Sequence, residues 1–117
     1  MARVVISLDC DGTMWLGNPP GPVSIDLIKK WVSDGASVVL ISDSGNCAGA
    51  AQFGIPRIPT PAPYRHLVVS AILFIDPSIT VYYIDDSPGG ESVCRNSIDP
   101  QRCVFIHTSR LSALPIK

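Results

Sequence analysis

Short apolar runs alternate with amphipathic stretches along this chain. Arg3–Leu8 is a β-rich run that ends on acidic residues. Pro22–Asp34 carries Leu27/Trp31 and Ile28/Val32 four residues apart, an apolar helix face that stops at Gly35. Ser37–Ile41 is short and apolar, as a strand inside a parallel sheet should be. Ser44 is placed to cap a helix running to about Phe53 and ended by Gly54. Ile55–Ile58 is a weak strand bounded by proline, suited to a sheet edge. Thr60-Pro61 reads as the cap and first residue of a helix to about Ile75, and Val81–Ile84 as another buried strand. Ser87-Pro88 repeats the cap-and-proline pattern and opens a helix toward Asn96. Cys103–Ile106 is the last strand, with a short helical tail behind it. Regular alternation of this kind predicts a doubly wound α/β sandwich around a parallel sheet.

Length and composition narrow the class. At 117 residues and 46% hydrophobic content the chain makes one domain with a real core, not a disordered segment. Nine basic against ten acidic residues leave a net charge of −1, which argues against a dedicated nucleic-acid binder. The longest apolar run, Leu67–Ile75, is interrupted by Ser70 and is far short of the roughly 20 residues of a membrane span. No signal-peptide pattern opens the sequence, so the expected location is the cytoplasm, away from membranes. Cysteines at 10, 47, 94 and 103 form neither CxxC nor a zinc-type spacing. They read as reduced or buried thiols, with a Cys94–Cys103 bridge open if the source keeps cytosolic disulfides.

In a doubly wound fold, sites form at the carboxyl ends of the strands. There the sequence places Asp9-Cys10-Asp11-Gly12-Thr13, Ser42-Asp43-Ser44-Gly45 and Asp85-Asp86-Ser87-Pro88-Gly89-Gly90. Asp9, Asp11, Asp85 and Asp86 in one crevice repel one another unless protons or a cation neutralise them. All-oxygen ligands in an open site suit Mg²⁺. Phosphoryl transfer needs such a metal, a nucleophile in line and donors to the equatorial oxygens. A carboxylate can be that nucleophile, and a second one two residues on can act as acid and then base. Gly12 lets backbone amides approach a phosphate, and Ser42 offers a hydroxyl beside a helix start. Cys10 and Trp31 read as core, Trp15 as core or flap, and His66 and His107 as non-catalytic. GxGxxG and GxxxxGK[ST] are both absent, which excludes Rossmann dinucleotide and P-loop sites. A phospho-receiver domain would carry its acceptor Asp after a later strand.

Asp9–Thr13 after an apolar strand resembles the DxDG[TV] signature of haloacid dehalogenase-like (HAD) phosphatases. Ser42 after Val38–Ile41 resembles the family's second motif, and Tyr82-Tyr83-Ile84-Asp85-Asp86 its fourth. Asp85–Pro88 is also similar to the DNSP segment of polymerase C-terminal-domain phosphatases, and Asp9–Thr13 with Trp15 to the magnesium-dependent phosphatase branch. The resemblance implies a single HAD-like domain over residues 1–117, three-layered and Rossmann-like. Its five-stranded parallel sheet would have the first strand central, and no large cap domain. It implies a Mg²⁺-dependent phosphomonoester hydrolase, not a dehalogenase, because Asp11 is the phosphotransferase feature. Asp9 would be nucleophile and metal ligand. Asp11 would be general acid/base, with its carbonyl on the metal. Ser42 would bond the phosphoryl group, with Gly12, Thr13 and Asp43 also around the substrate. Asp86, supported by Asp85, would be the inner-sphere metal ligand. The family's third-motif Lys is missing, since no Lys lies between Lys30 and Lys117. Arg57 and Arg65 are the cations in that stretch, and Arg65 is the favoured substitute. A relative that binds metal or phosphate without turnover is the alternative reading. With only Met14–Gly21 as a short flap, the open site would take a phosphorylated macromolecule, or a small metabolite if a homo-oligomer supplies the lid.

Overall fold

A computed structural model describes residues 3–115. Five strands, β1 (Arg3–Leu8), β2 (Ser37–Ile41), β3 (Arg57–Ile58), β4 (Ile79–Asp85) and β5 (Cys103–His107), form one all-parallel sheet in the order β3-β2-β1-β4-β5. β1 is therefore central, and the strand order reverses around it. The fold is α/β and compatible with a Rossmann-like architecture. Side-chain alternation divides the core between two faces. Ile6, Leu8, Val38, Leu40 and Ile84 face α1 (Ile25–Ser33) and the Gly45–Phe53 segment. Val39, Ile41, Val81 and Tyr83 face α2 (Arg65–Ile75) and α3 (Gly90–Arg95). Trp31 is 2% exposed and belongs to the first core, as its helical spacing requires.

The elements follow the apolar pattern, and their ends are set by local chemistry. α1 starts later than Pro22 because Ser24 caps it, accepting from Leu27 N at 3.2 Å. Val23 instead donates to Thr13 O and pairs in parallel with Met14. Gly45–Phe53 is 3-10 rather than α-helical and is kinked at Cys47. Ser44 does cap it, accepting from Asn46 N. β3 shrinks to two residues between Pro56 and Pro59, since neither proline can donate to a ladder. Thr60 does not cap a helix: its hydroxyl donates to Ile58 O, and a 3-10 turn over Ala62–Tyr64 precedes α2. α3 opens at Gly90, where Gly89 offers no side-chain cap. The tail, Thr108–Ala113, is 3-10.

The cysteines are bridged, Cys10 to Cys47 and Cys94 to Cys103, with Cα–Cα distances of 6.0 and 5.1 Å. This corrects the reduced-thiol expectation. Cys10 still lies in the core, but as half of a bridge between the end of β1 and the segment after β2. Bridges are characteristic of oxidising surroundings, so they lend the cytoplasmic expectation no support. Among the described residues no helix is long and apolar enough to cross a membrane.

Candidate active site

Register brings the acidic strand ends together. β1 pairs β4 through Leu8↔Ile84 and β2 through Leu8↔Leu40. Asp9 N then donates to Ile84 O at 3.0 Å, which seats Asp9 beside Asp85 at the point where the strand order reverses. A cleft of about 520 Å³ opens there. Alternation along β4 points Tyr83 and Asp85 to the same face, the one covered by α2.

Asp9 and Asp85 are buried and Asp86 is exposed. One carboxylate oxygen from each lies within 4.8 Å of the others. α2 delivers the opposing charge from its first residue. Arg65 Nη1 lies 2.9 Å from Asp9 Oδ1, 3.2 Å from Tyr83 Oη and 3.7 Å from Asp85 Oδ2. Its Nε donates to Thr60 O, and Nη2 stands 3.9 Å from Asp43 Oδ1 at the rim. Tyr83 Oη donates to Asp85 Oδ2 at 3.1 Å, closing a buried ring of Arg65, Tyr83 and Asp85 with Asp9 held on Arg65.

The electrostatics follow from burial. Desolvation pushes Asp85 up to about 7, helped by the Asp9 charge. Desolvation also raises Asp9, although Arg65 pulls the other way. Burial and Asp85 lift the Tyr83 phenol well above its ordinary range, so it remains a donor. Burial opposes the Arg65 charge, but Tyr83, Asp9 and Asp85 more than offset it. Two buried carboxylates facing one cation leave an excess of negative charge that a further cation would relieve.

No protein-family model, curated protein or solved structure matches this chain.

The remaining candidates fall into two groups. Asp11, Ser42 and Asp43 line the cleft with Asp9, Arg65, Asp85 and Asp86. Ser42 Oγ accepts from Ser44 N at 3.1 Å, which leaves its proton to donate. Asp11 Oδ1 accepts from Asn18 N at 2.8 Å and Asn46 Nδ2 at 2.9 Å, and these bonds hold its pKa below the ordinary range. Asp11's carboxylate is thus engaged away from the Asp9–Asp85–Asp86 cluster, as a residue expected to meet a metal through its carbonyl alone would be.

Gly12 and Thr13 do not line the cleft. The Gly12 amide donates to Pro19 O at 2.6 Å, so it is not free for a phosphate. What Gly12 supplies is room: at φ +76° it passes so close to Asp86 that a Cβ would overlap the carboxylate. Thr13 is fully buried under the loop, with its amide on Cys10 O. The Met14–Gly21 loop is folded back on this segment, with Gly17 and Gly21 amides on Met14 O. Trp15 is half-buried and packs edge-on against Phe53.

Arg57 lies outside the cleft and donates to Ser44 O. His107 Nε2 lies 2.9 Å from Asp86 O, beside the acidic loop, and neither His66 nor His107 lines the cleft. Three participants escaped the sequence reading: Tyr83, Asn18 and Asn46. Tyr83 had a readable signal, since residues two apart on a strand share a face and Asp85 was already suspect. Asn18 and Asn46 had none, because loop closure alone brings them to Asp11.

Proposed function

We propose that the chain is a Mg²⁺-dependent phosphomonoester hydrolase of the HAD-like kind, working through an aspartyl-phosphate on Asp9. The observation that carries this reading is the placement of Arg65. Its guanidinium rests on Asp9 and offers a phosphoryl dianion a fixed cation, while Asp85 and Asp86 stand close enough to call for a second, metal one. The all-oxygen donor set of Asp9, Asp85 and Asp86 fits a hard cation. Bound there, Mg²⁺ would neutralise phosphoryl charge.

This chain's own residues supply the remaining chemistry. An Asp9 carboxylate oxygen attacks phosphorus, and the bond to the leaving oxygen breaks. Asn18 and Asn46 keep Asp11 ionised in the free chain, so Asp11 would take up its proton only beside the bound phosphoryl dianion, on Oδ2, and pass it to the leaving alkoxide. Asp11 then takes a proton from water, whose oxygen attacks phosphorus and frees Asp9 and inorganic phosphate. Asn18 and Asn46 both occupy Oδ1, which leaves Oδ2 for this work. Ser42 and Arg65 are donors to the phosphoryl oxygens. An open cleft suits a phosphorylated small molecule or macromolecule.

The test is phosphate release from an aryl phosphate, with and without Mg²⁺, for the natural chain and Asp9→Asn. Release that needs Mg²⁺ and vanishes in Asp9→Asn is the expected result. Release indifferent to both overturns it. Silence together with tight Mg²⁺ or phosphate binding favours the second reading, a relative that binds without turnover. That reading draws on Arg65 standing where the family carries Lys.

A further inference from the structure

We infer that the outer face of α2 is the contact between two copies of this chain. α2 is apolar all round from Leu67 to Ile75 apart from Ser70, and a helix of that kind is normally covered on every side. Its inner face is covered: Arg65, Val69 and Leu73 are buried. Its outer face is bare. Tyr64, Leu67, Ala71 and Phe74 follow one another at spacings of three, four and three residues, and all four are exposed. Phe74 is 83% exposed and Ile75 72%. Ile98 extends the patch on one flank, where its amide donates to Ser70 Oγ.

The chemistry of the patch selects its occupant. No Lys, Arg, Asp or Glu side chain lies on the stripe, and the helix's single full charge, Arg65, points inward to Asp9. A lipid surface is engaged by helices with basic residues along the polar flank. Here the basic flank residues, Arg3 and Arg102, are already paired with Asp76 and Asp99. A partner that recognises by charge finds nothing to pair with. A second copy brings the same uncharged stripe, and the stripe is close to self-complementary. With a two-fold axis at Ala71, antiparallel α2 helices set Leu67 of one copy against the Phe74–Ile75 end of the other, twice. The small Ala71 at the crossing lets the helices approach closely. With a covered aromatic side chain worth about 200 Å², the patch amounts to roughly 500–600 Å² per copy, or about 1,100 Å² in all, near the lower end for specific dimers.

Sedimentation equilibrium of the whole chain tests this, from about 1 to about 300 μM, since an interface of this size gives micromolar association. The mass should rise with concentration from 12.5 kDa toward twice that value. Phe74→Asp and Leu67→Asp should each weaken association by at least about 100-fold. Circular dichroism and a cooperative melt show that the variants are folded; where one is not, Phe74→Gln or Leu67→Gln takes its place. Ala71→Cys, at the two-fold axis, should form an inter-chain disulfide under mild oxidation. A natural chain that stays monomeric throughout overturns the proposal. So does a dimer that the charged variants leave intact, or one that Ala71→Cys fails to cross-link. Monomers that co-sediment with phosphatidylcholine vesicles overturn it in favour of a lipid surface.

Discussion

Replacing Arg65 by Met keeps much of the side-chain volume and removes the charge. Arg65 and Asp9 have side chains only 10% and 11% exposed and touch at 2.9 Å. Breaking a buried pair from one side costs about 3–5 kcal/mol, because the remaining charge stays in a poorly solvated place. For a domain of this size that corresponds to a melting temperature lower by roughly 10–20 °C. The remaining carboxylate can escape the cost by taking up a proton, and each pH unit eases that by about 1.4 kcal/mol. Between pH 8 and pH 5 one carboxylate therefore recovers at most about 4 kcal/mol. Arg65→Met should melt far below the natural chain at pH 8 in EDTA and closer to it at pH 5. Excess Mg²⁺ at pH 8 should narrow the gap. Thermal melts across this pH series are the assay, and they need no substrate. A difference below about 1 kcal/mol at pH 8, or one of equal size at both pH values, would refute the claim that Arg65 is the fixed counter-charge of a buried carboxylate cluster.

Other expectations concern the same ring. Tyr83→Phe removes the hydroxyl that donates to Asp85 and accepts from Arg65, so it should cost about 1–3 kcal/mol. It should also raise the Asp85 pKa further and move Mg²⁺ binding to higher pH, as calorimetric titration over a pH series would show. Asp85 stands at about 7 in the folded chain, well above its ordinary value near 4. Its stabilising contribution is therefore full below pH 4 and lost as pH rises through 7. Melting temperatures in EDTA should fall across that window, and Mg²⁺ should offset the fall at pH 8; a flat profile would count against it. Below pH 7 the apparent Mg²⁺ affinity should drop by up to about tenfold per unit as the proton competes. Gly12→Ala should strain a left-handed position and displace Asp86, lowering Mg²⁺ affinity more than stability; unchanged affinity would show that Asp86 is not a ligand.

Much of the architecture was legible along the chain because it rests on local patterns. Apolar runs between Gly and Pro punctuation become the strands, and alternation with helices implies a parallel sheet, while the central place of β1 is what the family resemblance implies. Ser44 caps its helix through a neighbour two residues away, which is as local as structure becomes. The errors lie where a local rule met a competitor. Proline at 59, 61 and 63 broke up the start of α2 into a 3-10 turn, and two glycines with a bridged Cys47 left Gly45–Phe53 short of an α-helix.

By itself the sequence determined which residue types stand at each strand end: Asp9, Ser42 and Asp85-Asp86, each following an apolar run. Strand ends in a parallel sheet lie along one edge whatever the side chains, so their convergence follows from topology. Only the tertiary structure decided which atoms meet there. Arg65 reaches Asp9 across 56 residues of chain, Cys10 finds Cys47 across 37, and Asn46 finds Asp11 across 35. It also decided against Gly12 and Thr13 as substrate contacts, because the loop takes the Gly12 amide for Pro19 and buries Thr13. Periodicity constrains the face a side chain points to. Pairing partners depend on sheet register and loop closure, which are properties of the whole packed chain.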